Sequence, residues 1–124
     1  MAKSLMIVDD SATMRKIIIR TIRMSGLQFD NTEEAGNGKE ALDKLGSGTV
    51  DIILCDINMP EMCGTELVKK VRELESCKNT KIVMVSTESS QELIESVMAD
   101  GANGFINKPF TPEKFQEKLS PFMN

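Results

Sequence analysis

Four short stretches of this chain are apolar at every position: Leu5 to Val8, Ile52 to Cys55, Ile82 to Val85, and Phe105-Ile106. A strand without a polar side chain has no face to turn toward water, so these runs belong in a sheet covered on both sides. A weaker run, Phe29 to Ala35, reads as an edge strand. The segments between have a helical period. Met14, Ile17, Ile18, Thr21 and Ile22 share one face, as do Leu67, Val68 and Val71, and Leu93, Ile94, Val97 and Met98. Strands alternating with helices give five βα units, a parallel sheet, and helices on both of its faces, where right-handed crossovers put them.

The punctuation agrees. Gly26 and Gly101 stand just past helical stretches, where a left-handed residue ends a helix at little cost. Ser89-Ser-Gln-Glu92 has the spacing of a capping box. Thr111-Pro112-Glu113 offers a cap, a proline at the first helical position and an acid near the positive end of the dipole.

At 124 residues the chain suits one domain, expected to span residues 1–124 with no effector attached. A formal charge of −4 argues against a nucleic-acid binder, which needs a basic surface. The opening apolar run stops at Asp9-Asp10, too short for a signal segment, and nothing approaches the roughly 20 apolar residues of a membrane span. A cytoplasmic location is expected. Cys55, Cys63 and Cys77 form no Cys-x-x-Cys, and no histidine completes a common zinc set, so they are expected to be reduced structural thiols.

In open α/β sheets ligands bind where the strands end. Here strand one ends in Asp9-Asp10, strand three in Asp56, strand four in Ser86-Thr87 and strand five in Lys108-Pro109. Adjacent parallel strands lie ~4.8 Å apart, so these side chains crowd one pocket. Two carboxylates ~5 Å apart repel by roughly 3 kcal/mol at an effective dielectric of about 20, which calls for a compensating cation. Hard oxygen ligands with room for water and a phosphate suit Mg²⁺ better than zinc or a fully caged calcium. Lys108 can neutralise part of the cluster or meet a phosphoryl oxygen, and Ser86 supplies a hydroxyl donor. Asp56 becomes the candidate nucleophile, since carboxylates form acyl phosphates.

With those residues in order, the chain resembles the receiver domains of two-component response regulators, above all the stand-alone chemotaxis regulators. The likeness is carried by Ile7-Val-Asp9-Asp10-Ser-Ala-Thr-Met-Arg15, Asp56-Ile-Asn58-Met-Pro60, Gly64, Ser86 and Lys108-Pro109-Phe110. The resemblance implies a flavodoxin-like (βα)5 fold with strand order 2-1-3-4-5. It implies that Asp56 accepts a phosphoryl group from a histidine kinase, that Mg²⁺ is held by Asp10, Asp56 and the Asn58 carbonyl with Asp9 helping through water, and that Ser86 and Lys108 bind the phosphoryl oxygens. It further implies a cis Lys108-Pro109 peptide. The chain would be a signalling switch rather than an enzyme in the ordinary sense, phosphorylating itself and slowly losing the group.

Three positions select within the pattern. Phe105 stands where motor-binding relatives typically carry Tyr, Thr87 where a small Ala is commonest, and Cys63 where Asp or Asn is frequent. Asn58 and Glu88, which in the family govern water attack on the acyl phosphate, match the chemotaxis type. The output expected is protein binding through Phe105, Met98, Ile94 and Phe115, to a flagellar motor switch protein or, as a phosphorelay intermediate or sink, to a phosphotransfer protein. A monomer is expected, with dimerisation on activation left open. The nine methionines read as core filling, with Met59 and Met62 partly exposed, and Glu33-Glu34 as solvated charge.

Other classes fail on spacing. Gly36-Asn-Gly38-Lys-Glu-Ala41 matches a dinucleotide fingerprint but follows the second strand, and reads as a turn. A haloacid-dehalogenase-like phosphatase wants an acid two residues after its nucleophile, where Asp9 is followed by Ser11. A flavodoxin-like carrier wants aromatic rings to stack on flavin, and the chain has neither Trp nor Tyr. No P-loop is present.

Overall fold

The computed structural model describes residues 3–123 apart from positions 47, 49, 60, 61 and 89. Five strands, β1 (Lys3–Val8), β2 (Phe29–Ala35), β3 (Ile52–Cys55), β4 (Lys81–Ser86) and β5 (Gly104–Asn107), form one parallel sheet in the order β2-β1-β3-β4-β5. Helices α1 (Ala12–Ser25), α2 (Gly38–Leu45), α3 (Gly64–Arg72), α4 (Gln91–Asp100) and α5 (Pro112–Leu119) follow the strands in turn. The order expected from the resemblance is the one observed.

The two-sided burial that the apolar runs demand appears as two separate cores, divided by strand parity. Met6, Val8, Ile53, Cys55, Ile82 and Met84 meet Ala41, Leu45, Leu67, Val68, Val71 and Val97 from α2, α3 and α4 on one face. Leu5, Ile7, Ile52, Leu54, Val83, Val85 and Ile106 meet Ile18, Ile22, Phe115 and Leu119 from α1 and α5 on the other. Phe115 is fully buried, with the Phe110 ring 4.8 Å away at 64°. Edge-to-face packing of that kind favours the rings' quadrupoles.

Gly26 and Gly101 take positive φ, 89° and 121°, as the helix-stop reading requires. Thr111 caps α5 by accepting from the Lys114 N–H, with Pro112 in the first turn. The cap of α4 is corrected by one residue: Ser90, not Ser89, accepts from the Leu93 N–H, and Ser89 lies outside the described residues. Two helical faces are narrower than their periodicity suggests. Ile17 is 42% exposed on α1 and Met98 42% exposed on α4, where Val97 alone is fully buried. Met59 is buried in the core rather than exposed.

Candidate functional site

Backbone ladder bonds run one residue beyond β1, β3 and β5 and set three side chains at a common height. The Asp9 N–H donates to the Ala35 carbonyl of β2 (3.1 Å), the Asp56 N–H to the Val8 carbonyl of β1 (2.9 Å), and the Lys108 N–H to the Ser86 carbonyl of β4 (2.8 Å). Register therefore decides that two acids and a lysine far apart in the chain meet at the carboxyl edge of the sheet. The Lys108–Pro109 peptide is cis.

Asp9, Asp10 and Asp56 each offer a carboxylate oxygen within 4.8 Å of the others. Asp9 and Asp56 are buried, and Asp10 is open to solvent. The Lys108 ammonium lies 3.2 Å from Asp9 Oδ2 and 3.5 Å from Asp56 Oδ1. Burial pushes the Asp56 carboxyl above its ordinary value; Lys108 opposes this and the Asp9 carboxylate adds to it. One ammonium among three acids leaves the group anionic, and every side-chain donor in it is a hard oxygen. Cys55, behind Asp56, adds no thiolate, because burial pushes its thiol up and its Sγ donates to the Asp56 carbonyl. The donor set thus fits a hard divalent cation, and a site open on the Asp10 side leaves such an ion part of its water, as magnesium prefers.

Both hydrogen bonds to the Asp56 carboxylate fall on Oδ1, from the Ile57 N–H (2.9 Å) and Lys108. Among the described residues none donates to Oδ2. That oxygen keeps its lone pairs for another partner. Ser86 is fully buried, and its hydroxyl oxygen accepts from the Glu88 N–H. Asn58 and Glu88 are exposed and joined, amide to carboxylate, at 3.3 Å; Thr87 is exposed beside them. The sequence-predicted residues Asp9, Asp10, Asp56 and Lys108 are thus in one cluster, and the Asn58–Glu88 pair bridges the loops after β3 and β4.

A sequence model of the response regulator receiver domain matches residues 5–120. The chain belongs to that family. A chemotaxis protein CheY homolog of Campylobacter jejuni is 44% identical over 116 residues, covering 93% of this chain and 88% of the relative. Among solved structures, the chemotaxis protein CheY4 of Vibrio cholerae superposes with a TM-score of 0.87 at 37% identity, covering 98% of this chain and 99% of that one. A chain of the CheX–CheY–BeF3–Mg²⁺ complex from Borrelia burgdorferi superposes with a TM-score of 0.85 at 29% identity, covering 98% and 90%.

The loops around the cluster are held in part by residues to which no role was assigned from the sequence. Glu34, read as solvated charge, accepts from Arg15 Nε at 2.9 Å, and Arg15 Nη1 donates to the Asp9 carbonyl at 2.5 Å. Gly64 opens α3 so close to the loop after β3 that a Cβ there would collide with the Asp56 carbonyl oxygen and lie 2.8 Å from the Ile57 Cα. Its N–H donates to the Ile57 carbonyl at 2.7 Å. Away from the cluster, Ile94, Met98, Phe105, Lys114 and Lys118 are among the residues lining a cavity of about 430 Å³, while Phe115 sits buried in the α1/α5 core.

Proposed function

We propose that this chain is a chemotaxis-type phosphorylation switch in which Asp56 accepts a phosphoryl group from the phosphohistidine of a kinase. The observation that carries the reading is Asp56 Oδ2, an oxygen to which no described residue donates, beside Asp9, Asp10 and Lys108. Attack of Oδ2 on phosphorus forms the acyl phosphate, and the breaking P–N bond leaves its electron pair on the imidazole. Lys108 already spans two acids, so it can turn from a carboxylate to a phosphoryl oxygen without crossing the pocket. The Ser86 hydroxyl donates a hydrogen bond to a second phosphoryl oxygen. Asp9, Asp10, Asp56 and the Asn58 carbonyl would hold magnesium, which when bound supplies neutralising charge to the phosphoryl oxygens. The Borrelia complex, crystallised with BeF3 and Mg²⁺, supports that pairing of ligands.

New charge at Asp56 biases Ser86 at the end of β4 and, through β5, the face of Phe105, Met98 and Ile94. Output on this reading is binding to a flagellar motor switch protein in the cytoplasm, by a monomer. Asn58, Thr87 and Glu88 control access of water to the acyl phosphate and so the lifetime of the signal. Phe105 brings no ring hydroxyl to that face, which favours a phosphorelay or sink role as the second reading. Incubation with acetyl phosphate and Mg²⁺ tests the core of the proposal. Wild type should gain one phosphoryl group by intact-mass measurement and Asp56→Asn none; equal labelling of both would move the nucleophile elsewhere.

A further inference from the structure

The sharp turn between β1 and α1 carries Asp9 and Asp10, and two sets of bonds hold it. Inside, Asp9 Oδ1 accepts from the Ser11 N–H at 2.9 Å. Outside, Arg15 reaches back from the first turn of α1, Nη1 to the Asp9 carbonyl and Nε to Glu34 on β2. The guanidinium side chain is only 17% exposed. Gly36 lies alongside, where an added Cβ would stand at ordinary contact distance, 3.8 Å from Nη1.

The Asp9 carbonyl belongs to the peptide that joins Asp9 to Asp10. Because that unit is planar, fixing its oxygen fixes the plane from which the Asp10 side chain departs. Asp10 is the exposed member of the three acids, with the least packing of its own to hold it. We propose that Arg15 is a positioning residue for the cation site: its two-pronged grip on the Asp9 carbonyl and on Glu34 sets the direction of the Asp10 carboxylate.

This rests on reading Asp9, Asp10 and Asp56 as a cation site, and electrostatics gives it a sharp test. A guanidinium beside a cation site repels the incoming ion, so if Arg15 acted only through its charge, removing it would tighten binding. Positioning predicts the opposite sign. Outer residues that orient metal ligands typically cost 10–100-fold in affinity when lost.

Calorimetric titration of MgCl2 into wild type, Arg15→Ala, Arg15→Lys and Asp10→Ala, without phosphodonor, decides the matter. The dissociation constant should rise on the order of 10-fold in Arg15→Ala. It should rise in Arg15→Lys as well, since a lysine keeps the charge but cannot hold both partners of the fork. Amide exchange in magnesium-free buffer should quicken at Asp10 and Ser11 in both variants. Wild-type or tighter affinity in either Arg15 variant overturns the positioning role while leaving the cation site standing. Absence of binding by wild type, or unchanged affinity in Asp10→Ala, would instead defeat the site itself. Should Arg15→Ala fail to fold, Arg15→Lys alone carries the same test.

Discussion

Asp56 is a carboxylate kept at a cost. Its burial disfavours the charged form, and the attraction of Lys108 does not make up the difference, so its proton is held more tightly in the folded chain than in the unfolded one. Between the two affinities the folded state binds more protons, and stability therefore falls as pH rises through that window. The penalty grows as pH rises above the ordinary carboxylate value and vanishes well below about pH 4, where Asp56 is protonated in both states. Asp56→Asn should accordingly raise the urea midpoint in EDTA at pH 7, with the gain shrinking as pH is lowered toward 4. A lower midpoint at pH 7 would mean that the ion pair with Lys108 outweighs burial. The acids and Lys108 were legible in the sequence because each lies within two residues of the end of an apolar run, a position that needs no knowledge of the fold. The pairing of Arg15 with Glu34 was not, since it depends on which strand lies beside β1 and in what register. Nor could periodicity choose between Ser89 and Ser90 as the cap, two hydroxyls one residue apart.

Among the elements, α3 couples the site to the rest of the sheet at both of its ends. At its start Gly64 touches the backbone of Asp56 and Ile57, atoms that cannot swing aside as a side chain could. Gly64→Ala should cost about 1–3 kcal/mol in urea unfolding, the usual range for overpacking, and slow acetyl phosphate labelling, because the chain that gives way carries the acceptor. Labelling at the wild-type rate would show that the strain is relieved along α3 instead. At its far end Arg72 donates to the carbonyls of Gly101 and Cys77 and to Asn103 Oδ1, tying α3 to the loop that leads into β5. Arg72→Ala leaves those acceptors short of donors and should destabilise the chain by about 2 kcal/mol, with faster amide exchange across residues 101–104. Wild-type stability would mean that water replaces all three bonds. The buried faces of Leu67, Val68 and Val71 were readable from spacing alone. Ile17 and Met98 were not: helical period assigns an angle, whereas burial also depends on how far the neighbouring helix extends over it.

Across the whole molecule, the sheet changes direction of growth at β1, with β2 on one side and β3 on the other. Such a reversal opens a crevice between the loops that leave to opposite faces, and Asp9, Asp10 and Asp56 stand on those two loops. The apolar runs demanded a sheet covered on both sides, but periodicity carries no information on strand order; that came from family resemblance. A cation held at the crevice would bind the folded chain and not the unfolded one, where Asp10 and Asp56 are 46 residues apart in a flexible coil. Mass action then makes stability depend on magnesium. At a free concentration 100 times the dissociation constant the gain is about 2.7 kcal/mol, roughly 10 °C in melting temperature for a domain of this size. Because Asp10 is exposed, Asp10→Ala should fold as well as wild type in EDTA yet lose most of the magnesium-dependent rise. Thermal unfolding of both proteins in EDTA and across a MgCl2 series separates the effect from general salt screening, which would shift the two curves alike and which NaCl at matched ionic strength would reproduce. Parallel shifts in the two proteins would remove Asp10 from the ligand set and, with it, the assignment of the crevice as a magnesium site.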